Sequence, residues 1–85
     1  MHLKSEEKIN VLSVYDADKG SVYPHVIKWN GRVYKVGTVN YYHKTRVGRE
    51  VIHVFHVTDG ILDFRLECSS ENLHWKLLEV TDGYS

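Results

Sequence analysis

Two alternating runs of apolar and polar residues, separated by Asp59 and Gly60, constrain this 85-residue chain more than any other feature. The segment Arg49 to Cys68 has the sequence REVIHVFHVTDGILDFRLEC. Asp-Gly between alternating runs is a strong β-hairpin signal, because a type I′ turn requires positive φ at both central residues. A two-residue loop then predicts the cross-strand pairs Thr58–Ile61, Val57–Leu62, His56–Asp63, Phe55–Phe64, Val54–Arg65, His53–Leu66 and Val51–Cys68.

Alternation also assigns the two faces of this predicted hairpin. Successive strand residues point to opposite faces, so one face carries Val51, His53, Phe55 and Val57 with Leu62, Phe64, Leu66 and Cys68. We expect this face to be part of the core. The opposite face carries Ile52, Val54, His56 and Thr58 with Ile61, Asp63, Arg65 and Glu67. That mixture is typical of an antiparallel sheet with one solvated face.

A second hairpin is predicted over His25 to Val36, closed by Asn30-Gly31, the other favoured type I′ pair. Its register pairs Val26 with Lys35, Ile27 with Tyr34, Lys28 with Val33 and Trp29 with Arg32. The alternation changes phase at Gly37, which indicates a β-bulge that bends a long strand.

The remaining segments complete an all-β pattern. Ile9 to Tyr15 is a strand with apolar residues on both sides, and Leu73 to Val80 is the last strand. Pro24 requires an edge position or a strand start, and Tyr42 to Gly48 is interpreted as a basic, mobile connection. The predicted fold is an all-β antiparallel six-stranded meander curled toward a small barrel. It divides into a flexible N-terminal tail (1–8), a single β domain (9–80) and a C-terminal tail (81–85).

The expected core consists of apolar residues from the two hairpins and the last strand. Its predicted members are Ile27, Trp29, Tyr34, Val36, Phe55, Val57, Leu62, Phe64, Leu66, Trp75 and Leu77.

Composition excludes several classes of protein. A single cysteine cannot form an intramolecular disulfide, and no apolar run reaches the roughly 18 residues of a membrane span. The N-terminal sequence lacks the apolar segment of a signal peptide, so we expect a cytoplasmic protein. The formal net charge is zero, but residues 25–50 carry six lysines and arginines against Glu50 alone.

The segment Trp29 to Val36, with the sequence WNGRVYKV, resembles a family of small bacterial all-β proteins of unknown function. These share a Trp-x-Gly-Arg-x-Tyr-x-Val hairpin and a closing Trp-x-Leu strand, here Trp75-Lys76-Leu77. The resemblance extends roughly from Pro24 to Val80. It implies a fold but no activity, because every matching residue except Arg32 has an evident packing or turn role.

Catalytic and metal chemistry are poorly supported by the sequence. His53 and His56 are three residues apart, which on a strand directs the two rings to opposite faces, so they cannot share one metal ion. We expect His53 to be a semi-buried, hydrogen-bonded histidine and His56 to pair with Asp63. Cys68 could approach His53, but no cleft, oxyanion donor or third group is indicated. We expect no enzyme activity, metal or cofactor.

Two binding functions remain. The first is a non-enzymatic protein-interaction or self-associating module, possible as a homodimer, because a meander leaves unpaired strand edges that accept a partner or a second copy. The alternative is single-stranded nucleic-acid binding, because cations alternate with aromatic residues in the central segment. The candidate binding residues are Lys28, Arg32, Lys35, Tyr41, Tyr42, His43, Lys44, Arg46 and Arg49. No membrane partner is expected.

Overall fold

A computed structural model describes residues 2–82, with side chains from residue 6 onward, and these residues form eight antiparallel β-strands. No helix in these residues is long and apolar enough to cross a membrane. The strands are β1 (His2–Lys8), β2 (Asn10–Asp16), β3 (Ser21–Trp29), β4 (Arg32–Lys35), β5 (Thr38–Val47), β6 (Glu50–Thr58), β7 (Leu62–Ser69) and β8 (Trp75–Asp82).

The strands form two separate sheets. The large sheet has five strands in the order β1-β8-β7-β6-β5, and the small sheet has three in the order β2-β3-β4. The all-β prediction is therefore confirmed, as is the antiparallel arrangement. The predicted number of six strands is wrong, and the described residues do not form a closed barrel.

The strand count differs because the chain changes sheets at two corners. At the first, β1 pairs with β8 in the large sheet, and after Ile9 the chain continues as β2 in the small sheet. At the second, the Val36 amide donates to the His25 carbonyl in the small sheet, and the next amide, that of Gly37, donates to Thr58 in the large sheet. The phase change at Gly37 thus marks a transfer between sheets.

Three segment predictions are corrected. His2–Lys8 is a strand and not a tail, because it pairs with β8 despite its polar sequence. Residues 42–47 belong to strand β5 and are not a mobile connection, because they pair with β6 from Tyr42 to Val47. The last strand runs from Trp75 to Asp82 and not from Leu73 to Val80, so Thr81 and Asp82 are strand residues and not part of a tail; residues 83–85 lie outside the described residues.

Pro24 lies inside β3, the central strand of the small sheet, and not at a strand start or an edge. It is tolerated there because the register between β2 and β3 shifts at this point, with Leu12 opposite Val26 and Ser13 opposite Pro24. Such an irregularity removes the need for a proline N–H in the ladder.

The Asn30-Gly31 hairpin has the predicted register at all four pairs, and Asn30 and Gly31 both have positive φ. The Asp59-Gly60 hairpin does not. Val57 pairs with Phe64 and not with Leu62, a shift of two residues, so four residues, 59–62, lie between the last paired residues Thr58 and Asp63. A shift of two preserves which face each residue occupies, so the predicted faces survive.

The core lies between the two sheets. Ile27 of the small sheet packs with Phe55, Val57, Phe64, Leu66, Leu77 and Val80 of the large sheet. All eleven predicted core residues belong to this cluster or pack against it, and Val80, Ile9 and Tyr23 are additional members. We call the face of each sheet toward this core its inner face. The outer face of the large sheet is less solvated than predicted, since Ile52 and Val54 are buried there.

Candidate binding surface on the edge strand

The nine predicted binding residues are divided between the two sheets. Lys28, Arg32 and Lys35, here called the hairpin cations, lie on β3 and β4 of the small sheet. Lys44, Arg46 and Arg49, here called the edge-strand cations, lie on β5 and the turn that follows it. The aromatic candidates are all on β5. The structure therefore does not unite the predicted residues in one site.

The hairpin cations do not share one face of the small sheet. Lys28 pairs with Val33 and Lys35 pairs with Val26, which places both lysines on the outer face, opposite the buried Ile27. Arg32 pairs with Trp29 and lies on the Ile27 face. The outer face also carries Leu12, which is 61% exposed, and Val33, which is 63% exposed.

Strand β5 forms one edge of the large sheet and pairs with β6 alone within the described residues. It has 10 residues, and every one except His43 is exposed. Its pairing with β6 is interrupted once, at Asn40, and is regular from Tyr41 to Val47. A long stretch of strand thus has its outward N–H and C=O groups free of any neighbouring strand in this part of the chain.

The inner face of β5 carries Tyr42, Lys44 and Arg46, opposite Phe55, His53 and Val51 of β6. The Tyr42 hydroxyl lies 2.6 Å from His53 Nδ1 and donates a hydrogen bond to it when the imidazole is neutral. His53 is therefore partly buried and hydrogen-bonded, as the sequence predicted. Burial raises the pKa of the Tyr42 phenol, so it remains a neutral donor at physiological pH.

The outer face of β5 carries a different cluster. Tyr41 contacts His43 and His56, with ring centroids 5.3 and 5.4 Å apart, and the two imidazoles are 6.0 Å apart. His56 pairs with Arg65 and not, as predicted, with Asp63, because of the register shift. Burial lowers the pKa of His56, and the positive charges of Arg65 and His43 lower it further, against a smaller raising effect of Glu79.

A shallow depression of about 310 Å³ adjoins this outer cluster and is lined by Asn40, Tyr41, His56, Arg65 and Glu79, among others. A carboxylate oxygen of Glu79 lies 3.8 Å from Arg65 Nε, so the depression carries both signs of charge. Its charged groups therefore favour neither an anionic nor a cationic ligand.

Cys68 lies directly opposite His53, closer than the sequence predicted. Cys68 is buried, and burial raises the pKa of its thiol, which lowers the fraction of reactive thiolate. Its Sγ is within reach of only the neighbouring Ser69 carbonyl, at 3.8 Å, among the hydrogen bonds of the described residues. In that same part of the chain, no three histidine, cysteine or acidic side chains are grouped so that they could hold a metal ion.

Sequence reasoning missed His53 as a partner of Tyr42. The pairing of β5 with β6 brings them together, and that pairing could not be derived while residues 42–48 were interpreted as a loop. The signal that could have revealed it is the strand-favouring composition of residues 38–47, TVNYYHKTRV, which is rich in tyrosine, threonine and valine.

Comparison of the chain with models of known protein families, with curated proteins and with solved structures finds no match.

Proposed function

We propose that this protein is a non-enzymatic protein-interaction module that binds an extended, acidic polypeptide segment as an added strand on β5. The observation that carries the proposal is the exposed edge of β5, which is 10 residues long and pairs on one side only within the described residues. Strand addition obtains affinity from main-chain hydrogen bonds and selectivity from alternate side chains.

The geometry of β5 suits an added strand. Its regular part, from Tyr41 to Val47, is longer than the five or six residues that are typical of strands in globular proteins. The irregularity at Asn40 and the turn at Gly48 bound this part on either side. An added segment would therefore have a defined start and end.

Charge selects the partner. Residues 38–47 contain Lys44 and Arg46 and no acidic residue, and Arg49 follows in the turn. Oppositely charged residues that face each other across two strands contribute about 0.2–1 kcal/mol per pair, while like charges are unfavourable. A segment with acidic side chains at alternate positions would place them beside Lys44 and Arg46 on the inner face.

The same charges favour a heterologous partner over a second copy at this edge. Pairing β5 with β5 of another molecule would bring two sets of edge-strand cations along one seam. Lysine on an edge strand and a bulge next to it are also features that discourage edge-to-edge self-association. The self-associating form of the function is instead favoured by the outer face of the small sheet, where Leu12 and Val33 are exposed.

The test is titration of the protein with a labelled peptide in which glutamate alternates with threonine, followed by fluorescence anisotropy. We expect saturable binding that K44E/R46E removes and K28E/K35E, a matched reversal of two hairpin cations, preserves. Hydrogen exchange should slow at solvent-facing β5 amides when the peptide binds. A version of the peptide that is N-methylated at alternate residues should lose binding when the methyl groups face β5.

The proposal is wrong if the K28E/K35E and K44E/R46E variants lose peptide affinity equally, or if N-methylation has no effect in either register. Light scattering on the free protein separates the self-associating form: a dimer that L12E or V33E dissociates would identify the outer face of the small sheet as the interface instead.

A further inference from the structure

We propose a second binding site, on the inner face of β5 and β6, where the Tyr42 and His53 rings form a platform that stacks a nucleobase of single-stranded nucleic acid. This site uses side chains that project from the sheet, whereas strand addition uses the backbone edge. The two proposals share Lys44 and Arg46, but only the stacking site needs the Tyr42 ring, so Tyr42→Leu tests it separately from the peptide function.

The two rings lie side by side in nearly parallel planes. Their planes differ by 14° and their centroids are 5.9 Å apart. Because the Tyr42 hydroxyl and His53 Nδ1 are only 2.6 Å apart, the offset between the two nearly parallel planes cannot exceed about that distance. Rings with such a small offset and such distant centroids lie edge to edge and do not overlap. The surface that they offer together is wider than one ring.

Neighbouring aromatic rings hold the platform in place. Phe55 lies opposite Tyr42, with ring centroids 4.8 Å apart, and its other neighbour Trp75 lies at 5.5 Å. Phe55 belongs to the core, so Tyr42 is braced against a fixed group. Tyr42 nevertheless remains 41% exposed. A braced and exposed ring can stack a base with little loss of side-chain freedom.

The spacing of the cations near the platform suits several successive phosphates better than a single phosphate. Lys44 lies directly opposite His53, and Arg46 follows on the same face of β5. Two strand residues cover about 6.6 Å, so the cations are spaced in a row away from the rings. Glu50, the nearest acid in sequence, pairs with Val47 on the outer face and accepts a hydrogen bond from Ser69.

Stacking and backbone cations together define the ligand class: a planar aromatic base joined to several anions. Single strands fit because their bases are free to stack, and the sequence preference should be weak. Duplex DNA does not fit, because its bases are stacked on each other. A mononucleotide shares the chemistry but has only one phosphate group to contact the row of cations, so it should bind much more weakly than an oligonucleotide.

The experiment measures binding of a fluorescent oligo-dT of about 10 nucleotides by anisotropy at low salt. We expect Tyr42→Leu to weaken binding about 5- to 150-fold, the effect of losing one base–aromatic stack. The matched control is Tyr41→Leu, which removes an exposed tyrosine from the adjacent position on the outer face and should change the affinity less than twofold. Unlabelled dTMP and duplex DNA of the same length should compete poorly.

The salt dependence provides a second measurement. If Lys44, Arg46 and Arg49 each neutralise one phosphate, the logarithm of the binding constant should fall with the logarithm of salt with a slope of about −2. K44E/R46E should abolish binding and K28E/K35E should not, which keeps the test decisive if Tyr42→Leu fails to fold. Absence of oligo-dT binding at low salt, equal losses in Tyr41→Leu and Tyr42→Leu, or competition by dTMP at the same concentration as oligo-dT would each overturn the proposal.

Discussion

β5 and β6 are adjacent, paired strands of the same sheet, and they differ in almost every other respect. In β6 four of nine residues are buried and none is exposed, while in β5 nine of ten are exposed. β6 has a neighbour on each side, whereas β5 pairs with β6 alone in the described chain. Both strands contain many β-branched and aromatic residues, so the difference in burial follows from their positions in the sheet and not from their composition.

The contrast indicates that stability and recognition are located in different strands. Phe55 and Val57 of β6 belong to the cluster that joins the two sheets, and Ile52 and Val54 are buried on the outer face, so the removal of any of these side chains leaves a cavity. Most side chains of β5 are exposed to water, so their removal changes mainly the surface; Tyr42, which packs against Phe55, is the exception. If this division holds, substitutions in one strand should change stability with little effect on binding, and substitutions in the other should do the reverse.

The largest effect on stability is expected in the core, at Phe64 of β7. Phe64 pairs with Val57, is 2% exposed and packs against the Tyr34 ring at 5.2 Å. We expect Phe64→Ala to reduce the free energy of unfolding by about 3–5 kcal/mol, which is comparable to the whole stability of a small domain. Urea denaturation followed by tryptophan fluorescence measures it. Leu73→Ala, at an exposed loop position, is the control; a Phe64→Ala variant with an unchanged midpoint would break the comparison.

An intermediate effect is expected at the loop that joins β6 to β7. Asp59 Oδ1 accepts hydrogen bonds from the amides of Ile61 and Leu62, at 2.8 and 2.7 Å. Asp59→Ala should reduce stability by about 1–2 kcal/mol, because two amides lose a charged acceptor but regain water. Asp59→Asn keeps an acceptor and should lose less. Equal unfolding free energies for Asp59→Ala and the parent protein would show that the loop geometry does not depend on this carboxylate.

The same loop explains why one hairpin register was predicted correctly and the other was not. Both hairpins have a glycine after a short polar residue, and Asn30-Gly31 adopts the expected positive φ pair. At Asp59 the side chain binds two later amides, and Thr58 Oγ1 accepts from the Gly60 amide and donates to the Leu62 carbonyl. These local bonds stabilise a four-residue loop over a two-residue turn. A dipeptide signal does not include such competition.

Strands without an alternating hydrophobic pattern could not be predicted from the sequence either. β1 is polar throughout most of its length and is defined by pairing with β8, which is distant in sequence. β5 carries aromatic residues on both faces and places Lys44 and Arg46 on the inner face, so its sequence shows no alternation of apolar and polar residues. The alternation that identified the β6–β7 hairpin exists only where one face is buried.

The candidate site was predicted in its residue types but not in its arrangement. Tyr42, Lys44 and Arg46 were recognised, yet only the pairing of β5 with β6 places them on one face with His53. The hairpin cations were included because they are near in sequence, and the structure puts them on the other sheet. Sequence proximity is a weak guide in a fold that transfers its chain between sheets at Gly37.

A smaller effect on stability is expected from pH, through His56 of β6, which contacts Tyr41 of β5. Since burial and the nearby cations lower the pKa of His56, the unfolded chain takes up this proton more readily than the folded protein. The resulting stability is present above the unfolded pKa of about 6.5 and is lost as the pH falls through the lower folded pKa. His56→Gln should therefore flatten the fall in unfolding free energy below about pH 6.5. His74→Gln, at an exposed loop position, is the comparison; if it flattens the profile as much, the effect does not belong to His56.

The smallest effect on stability is expected on β5 itself. Lys44 and Arg46 are exposed, and the described structure shows no ion pair for either. We expect Lys44→Ala and Arg46→Ala, alone and together, to change the free energy of unfolding by less than about 0.5 kcal/mol, as is usual at such surface positions. Val54→Ala in β6, at a buried position, should lose clearly more under the same conditions. A double variant that unfolds in less urea than Val54→Ala would show that β5 contributes to the core sheet as much as β6 does, and its binding defects could then no longer be separated from its stability.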